Sequence, residues 1–468
     1  MSVLRMLFPT VQFALFFPVV LALSWWLMPR QQLWKLFIVL ASYTFYAAAN
    51  WRFCLLLAGV TAVNQAGATL IHRSADPRRR SRVLAATVTL DLGALAVFKY
   101  YGFFVGSAGA ALDSVGLGMP LPLLTIALPV GISFFTFQAI SYVVDVKRGL
   151  VQPAGLLDVA VYLSFFPHLV AGPIVRASEF LPQLASPRDP SRVAVGSGLF
   201  LIGLGLVKKV AIADYLAREV VDPVFAVPQL YAGPDVWLAA YAYTAQIYCD
   251  FSGYTDMAIG LALLMGYVFP QNFLSPYRAT GFRDFWRRWH MTLSRFLRDF
   301  LYIPLGGSRH GRLRTYRNLS LTMLLGGLWH GAGWTFIAWG ALHATGLSAE
   351  HAIRGRFTTP AWLRWAVTFH LVVLGWILFR AEDLQRAGEF IAQLVVPGRP
   401  VLWAPAVVAA IVVVIGLQLL PPRPVEALQL RLERLRPATL AAGLAAVVAV
   451  TGATVSAQGV APFIYFRF

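Results

Sequence analysis

Apolar residues in this chain come in long blocks rather than in the alternation of a strand or the one-sided stripe of a surface helix. That pattern predicts helices with apolar surroundings on every side. The blocks lie near residues 11–28, 32–49, 51–71, 83–105, 121–144, 156–174, 194–213, 235–267, 318–347, 365–380, 401–420 and 438–456. Most are about 17 to 25 residues long, enough to cross a hydrocarbon layer of roughly 30 Å. The pattern therefore predicts an all-α integral membrane fold of about 11 to 13 membrane segments in one polytopic domain, residues 1–468. The first block exceeds a signal-peptide core and lacks a small-residue cleavage site, so it reads as a retained helix. Block 235–267 is too long for one straight crossing, and a break is expected at Ser252-Gly253. Two prolines in Pro167-His168-Leu-Val-Ala-Gly172-Pro173 predict a broken or re-entrant helix.

Composition narrows the picture further. Of 468 residues, 58% are hydrophobic and 13% charged, which excludes a water-soluble enzyme and a disordered tail. Only two cysteines occur, Cys54 and Cys249, so a disulfide framework is excluded as well. The net charge of +18 reports on topology through the positive-inside bias rather than on nucleic acid, and no nucleic-acid partner is expected. Arginine clusters at Arg73 to Arg82, Arg278 to Arg317 and Arg423 to Arg436 are assigned to the cytoplasmic side. Arg30 and Lys35 fall inside with the first of them.

Ionisable groups within apolar blocks are costly, and each is a functional candidate until a structural partner explains it. His330 stands at the centre of block 318–347, with four glycines between residues 326 and 333. Glycines there let a thin substrate or a neighbouring backbone come close. Burial favours the uncharged imidazole, a proton acceptor at neutral pH. A packing histidine bonded to a carbonyl is the other reading of the same position.

Phe285, Trp289, Leu293, Phe296 and Phe300 recur at helical spacing, with Arg287, Arg288, Arg295 and Arg298 elsewhere on the wheel and His290 beside the stripe. They predict a helix at the cytoplasmic interface. Its arginines serve either as lipid anchors or as a docking face for a phosphate-bearing cofactor. Asp250 and Tyr254, four apart, share a helical face within Gln246 to Asp256, where a structural network and a substrate-binding one are equally open. The tail Ala461-Pro-Phe-Ile-Tyr465-Phe-Arg-Phe468 reads as an aromatic interface belt on the outer face. No metal site is expected, since HxxxH, HxH and paired-Cys spacings are lacking. Walker A, GxGxxG and GxSxG sequences are lacking as well.

Five blocks together resemble the membrane-bound O-acyltransferase family, in particular its bacterial branch acting on alginate, peptidoglycan and teichoic acids. They are Leu128-Pro-Val-Gly-Ile-Ser-Phe-Phe-Thr-Phe-Gln138, Phe166-Pro-His-Leu-Val-Ala-Gly-Pro173, Tyr248-Cys-Asp-Phe-Ser-Gly-Tyr-Thr-Asp256, Phe285-Trp-Arg-Arg-Trp-His290 and Gly327-Leu-Trp-His-Gly331. The likeness spans roughly residues 8 to 380, followed by C-terminal membrane helices and the aromatic tail, 381–468.

The resemblance implies a ring of tilted helices around a thinned central funnel, in the bacterial cytoplasmic membrane. It implies His330 as the catalytic histidine, His290 as the second functional position, and Tyr465 as a transient acyl acceptor. Arg287, Arg288, Asp250, Tyr254 and Trp329 become candidates for binding donor or substrate. No permanently bound cofactor is implied; acetyl-CoA would be the acyl-donor substrate. An extracytoplasmic SGNH-type transferase or a polysaccharide synthase complex would be the partner, and the bilayer the medium. The competing reading is an ion-coupled transporter using Asp250, Asp256, Lys208 and Lys209, or a flipping subunit of a polysaccharide-export system.

Overall fold

The structure, a computed structural model, describes residues 6–118, 124, 126–353, 359–421, 427–428, 431–432 and 434–453. Among them the secondary structure is entirely helical. Two compact units emerge, one from residues 1–198 with 258–270, the other from 199–257 with 271–468. Four helical stretches are individually long and apolar enough to cross a membrane: Gln31–Arg73, Pro77–Ser114, Val195–Ala226 and Ala361–Arg380. Shorter apolar helices are Val11–Leu27, Pro405–Leu419 and Ala438–Ala453.

In the first unit, α1 (Val11–Leu27) starts at Thr10, whose hydroxyl accepts from the amide of Phe13 at 3.4 Å. Val11, Leu15 and Val19 face outward at four-residue spacing, while Phe13, Phe17, Val20 and Ser24 are buried. An outward stripe that apolar suits lipid. Helix α2 (Gln31–Arg73) contains both blocks 32–49 and 51–71, divided by extended backbone at Asn50. Lys35 is buried and bonded to Asp158 at 2.5 Å. Next, α3 (Pro77–Leu95) is capped by Asp76, which accepts from the amides of Arg78 and Arg79, and a wide turn leads on to α4 (Tyr101–Ser114).

Block 121–144 becomes helical only at Ile132, the start of α5 (Ile132–Arg148). Before it, Gly131 has φ 75°, and a Cβ there would sit 2.2 Å from the carbonyl oxygen of Leu169. That carbonyl belongs to the break expected from the two prolines. Helix α6 (Leu156–Ser164) ends, a single turn Phe166–Leu169 follows, and the chain loses helical form through Pro173. His168 there packs among Phe165, Phe180 and Phe269, its Nε2 2.8 Å from the carbonyl of Tyr162.

The second unit departs from expectation in three places. The break at Ser252-Gly253 does not occur: α8 (Gly233–Leu264) runs unbroken for 32 residues beside α7 (Val195–Leu206). Gly253 serves contact instead. A Cβ on it would lie 2.8 Å from the carbonyl of Gly205, and one on Gly205 would lie 2.5 Å from that of Gly253. Around this crossing Lys208 pairs with Asp256 at 2.7 Å, and Lys209 with Asp250 at 2.5 Å and Asp214 at 2.7 Å. Each intramembrane charge of the transporter reading thus has an opposite charge beside it, the expected condition of ionic cross-links between apolar helices.

The second departure is block 318–347, which is two antiparallel helices. Helix α9 (Arg312–His330) turns through residues 331–333 into α10 (Trp334–Ile353). A Cβ on Gly327 would stand 2.2 Å from the carbonyl oxygen of Phe336, and one on Gly340 2.5 Å from that of Met323. The glycines admit a neighbouring backbone. A hairpin returns the chain to the side it entered. The outward assignment of the tail with Tyr465 falls on residues outside the described ones.

Third, the aromatic stripe 285–300 is not one helix. A short turn of helix, Phe282–Trp286, stops at residues 287–290, and helix resumes over Met291–Leu297. The cause is His290, whose φ of 41° and ψ of 53° reverse the backbone hand. Phe285, Trp289, Leu293 and Phe296 are buried in protein all the same. Beyond the hairpin lie α11 (Ala361–Arg380), α12 (Leu384–Gln393), α13 (Pro405–Leu419) and α14 (Pro437–Ala453).

Candidate active site

Two side chains on separate elements of the second unit meet in an aromatic chamber. His330 is the last residue of α9, where extended backbone at Gly331 ends the helix; a Cβ on that glycine would enter the ring of Phe336, 2.0 Å away. Its imidazole is 2% exposed, 5.0 Å from Trp339, 5.2 Å from Phe379 and 5.1 Å from Trp329, centre to centre. His290 is fully buried, its ring centre 6.4 Å from that of His330, and Phe251 meets it edge-on at 4.6 Å. The histidine predicted to be buried is buried, and it faces the second one.

His290 is held from both sides. Its backbone lies in the left-handed region, which costs a non-glycine residue free energy and persists only where the surroundings enforce it. They do so here through two backbone hydrogen bonds between segments 272–274 and 288–291. The amide of Leu274 donates to the carbonyl of Arg288, and that of Met291 to the carbonyl of Asn272, both at 2.9 Å.

Asn272 Oδ1 also accepts from the Thr292 amide at 3.1 Å and from the Thr292 hydroxyl at 2.8 Å. An atom that accepts from a backbone N–H is the amide oxygen, so His290 Nδ1, 3.1 Å away, must be the donor. The tautomer follows. The lone pair of the neutral ring is on Nε2, which has no hydrogen-bond partner among the described residues. Replacing Asn272 by Leu is expected to release this tautomer and lower kcat by about tenfold to a hundredfold, the cost of an unmet buried polar group. A full kcat with an unchanged pH profile would show that Asn272 does not position His290.

The remaining candidates separate. Trp329 is buried beside both histidines, 5.9 Å from His290. Asp250 and Tyr254 belong to the ionic crossing: Asp250 is bonded to Lys209, and the ring of Tyr254 lies 5.9 Å from the same ammonium. Arg288 is half-buried and bonded to Asp284 at 2.8 Å, whereas Arg287 is exposed. Of the two, Arg287 is the cation open to an external anion. Among the described residues no group of three or more His, Cys, Asp or Glu side chains is placed to hold a metal.

Sequence reasoning missed Asn272, Trp339 and Phe379. Asn272 follows an apolar block in a loop 18 residues before its partner, and no periodicity links the two. The hydropathy blocks conceal the other two, since each looks like ordinary helix core.

Comparison with known proteins bears on what this chamber does. The model of the membrane-bound O-acyltransferase family matches residues 36–377. A probable alginate O-acetylase of Pseudomonas aeruginosa is 46% identical over 380 residues, covering 80% of this chain and 71% of the relative. A peptidoglycan O-acetyltransferase of Helicobacter pylori is 40% identical over 385 residues, covering 75% and 72%. A teichoic acid D-alanyltransferase of Bacillus subtilis is 27% identical over 271 residues, covering 54% and 68%.

Proposed function

The chain belongs to the membrane-bound O-acyltransferase family, and from that premise we propose that it transfers acetyl groups from cytoplasmic acetyl-CoA for O-acetylation of an extracytoplasmic polysaccharide. It is a multi-pass membrane O-acyltransferase. The relatives named for alginate and peptidoglycan support a polysaccharide acceptor and a small acyl group. The inner membrane of a bacterium is the compartment in which such a donor and such a polymer lie on opposite sides.

One observation carries the reading of the site: two buried imidazoles face each other across 6.4 Å in a chamber of aromatic rings. In this reading the acceptor hydroxyl binds beside both imidazoles. His330 acts as the general base, taking the hydroxyl proton while the oxygen attacks the thioester carbonyl. The carbon–sulfur bond then breaks, and the proton passes from His330 to the departing thiolate, giving free coenzyme A. His290, its Nε2 lone pair turned away from Asn272, accepts a hydrogen bond from the ring N–H of the protonated His330 or from the bound hydroxyl. Arg287 holds donor phosphates at the cytoplasmic face, since a guanidinium matches phosphate geometry and the charged end of the donor cannot enter lipid.

In this reading Tyr465 is the first acceptor. A phenol with a pKa near 10 loses its proton far more readily than a sugar hydroxyl. Its ester then passes to an SGNH-type transferase or a synthase complex outside. Incubation of purified protein with labelled acetyl-CoA should add one acetyl mass to the C-terminal peptide, and Tyr465→Phe should abolish both the label and polymer acetylation in cells. Full polymer acetylation by the Tyr465→Phe protein would remove the relay and leave a direct transfer.

A further inference from the structure

The ionic crossing of α8 has a neighbour in the chamber. Charges inside a membrane are costly, and a buried ion pair adds little stability over apolar residues of the same shape. What the pair of Lys209 with Asp250, at 2.5 Å, does supply is a fixed rotation of α8 at this turn, since the same ammonium also holds Asp214 at 2.7 Å. The next residue, Phe251, points about 100° further round the helix. It is fully buried, and its ring stands edge-on to three others: His290 at 4.6 Å, Phe273 at 5.0 Å and Trp289 at 6.4 Å.

The imidazole of His290 needs such a neighbour. Its Nδ1 is tied to Asn272 Oδ1 at 3.1 Å, and Nε2 has no hydrogen-bond partner among the described residues. A single hydrogen bond fixes where Nδ1 points but leaves the ring free to turn about that bond, and the torsion that carries the ring has broad wells of its own. The plane is therefore set by packing. Phe251 is the nearest ring, ahead of Trp329 at 5.9 Å and His330 at 6.4 Å, and the two planes meet at 87°. Edge-to-face contacts of this kind are directional. Phe273 and Trp289 touch Phe251 as well, and Phe273 stacks edge-on against Trp289 at 5.0 Å, so the ring of Phe251 is itself held in place. Trp329 is adjacent to His330 on α9, whereas Phe251 approaches from a separate helix.

We propose that Phe251 is a positioning residue that fixes the plane of the His290 ring, and that the Lys209–Asp250 pair fixes Phe251 in turn. This rests on the reading above, in which His290 acts on His330 or on the bound hydroxyl, and it extends the machinery of the site to α8. The effect falls on turnover. A ring free to swing presents Nε2 to the reacting groups for only part of the time, while the arginine-rich face that holds the donor is untouched.

The test measures coenzyme A release from acetyl-CoA by the full-length protein in detergent. Phe251→Leu keeps an apolar side chain and removes the ring; it should lower kcat about tenfold and leave donor KM within about threefold of wild type. Asp250→Asn keeps the side-chain shape and leaves Lys209 its bond to Asp214, and it should give a smaller loss of the same kind, about threefold. Because Phe251 and Asn272 restrain the same ring, Phe251→Leu combined with Asn272→Leu should be slower than Asn272→Leu alone by no more than about threefold. Losses that multiply would mean independent packing effects and would overturn the proposal, as would a rise in KM with kcat unchanged. An experimental structure of Phe251→Leu reads the ring directly: a turned His290 supports the assignment, and an imidazole in its wild-type orientation overturns it whatever the kinetics show. An Asp250→Asn protein with full kcat would remove the ion pair from the proposal. His290→Ala separates the two levels of the argument. At wild-type turnover it overturns the reading of the site itself, whereas a slow His290→Ala beside a Phe251→Leu of wild-type rate overturns only the positioning role. Should Phe251→Leu fail to fold, Phe251→Met carries the same comparisons.

Discussion

Replacing His330 by alanine is expected to lower the release of free coenzyme A from acetyl-CoA by about 10² to 10⁴, the usual contribution of a positioned general base. The effect should fall on kcat. His330 stands among Trp329, Trp339 and Phe379 rather than at the arginine-rich face, so removal of its imidazole leaves the donor's phosphate contacts intact. Donor KM should therefore move by no more than about threefold, the pattern of an interaction made mainly in the transition state. His330→Gln should not rescue the rate, because an amide fills the volume without accepting a proton at neutral pH. An ion-coupled transporter would release no coenzyme A even as wild type. A His330→Ala protein with wild-type turnover would assign the base elsewhere.

The second large effect is structural. Gly327→Ala should destabilise the fold by about 3 kcal/mol or more, since the new methyl would overlap a backbone carbonyl that no rotamer change can move. The added Cβ would lie 2.2 Å from the carbonyl oxygen of Phe336, so α9 and α10 would have to part. His330 lies three residues further along α9, and its approach to His290 would be lost with the hairpin. Thermal unfolding in detergent should show a clear drop, and coenzyme A release should fall with it. Gly416→Ala on α13 is the matched control. Nothing lies within 4 Å of its added methyl, and the change should be neutral or favourable by up to about 1 kcal/mol. Equal behaviour of the two variants would contradict the close crossing at Gly327.

The helical class and the membrane setting were legible because lipid demands long apolar blocks, and such blocks are visible without tertiary information. The proline break at Pro167 to Pro173 was legible for a local reason: proline lacks the N–H that a helix needs. Gly253 shows where local reasoning fails. A glycine in a long helix reads equally as a weak point or as a contact point, and only the presence of Gly205 opposite decides for contact. The reversal at His290 was illegible because histidine, although enriched in the left-handed region, enters it only rarely and nothing local demands it here; pairing with segment 272–274 imposes it from outside. Likewise, Asp250 and Tyr254 attracted attention as polar residues in an apolar block, and their explanation, Lys209, sits on another element. In the candidate site, residue types were legible from spacing and resemblance, whereas the tautomer of His290 depended on a loop asparagine that no pattern marks.

The most direct test is an experimental structure of the protein with a non-hydrolysable thioether analogue of acetyl-CoA. The account predicts that the acyl end enters the gap between the rings of His290 and His330, with the phosphates near Arg287. An acyl end bound at the surface, or in any chamber that leaves His330 more than one residue away, would contradict it.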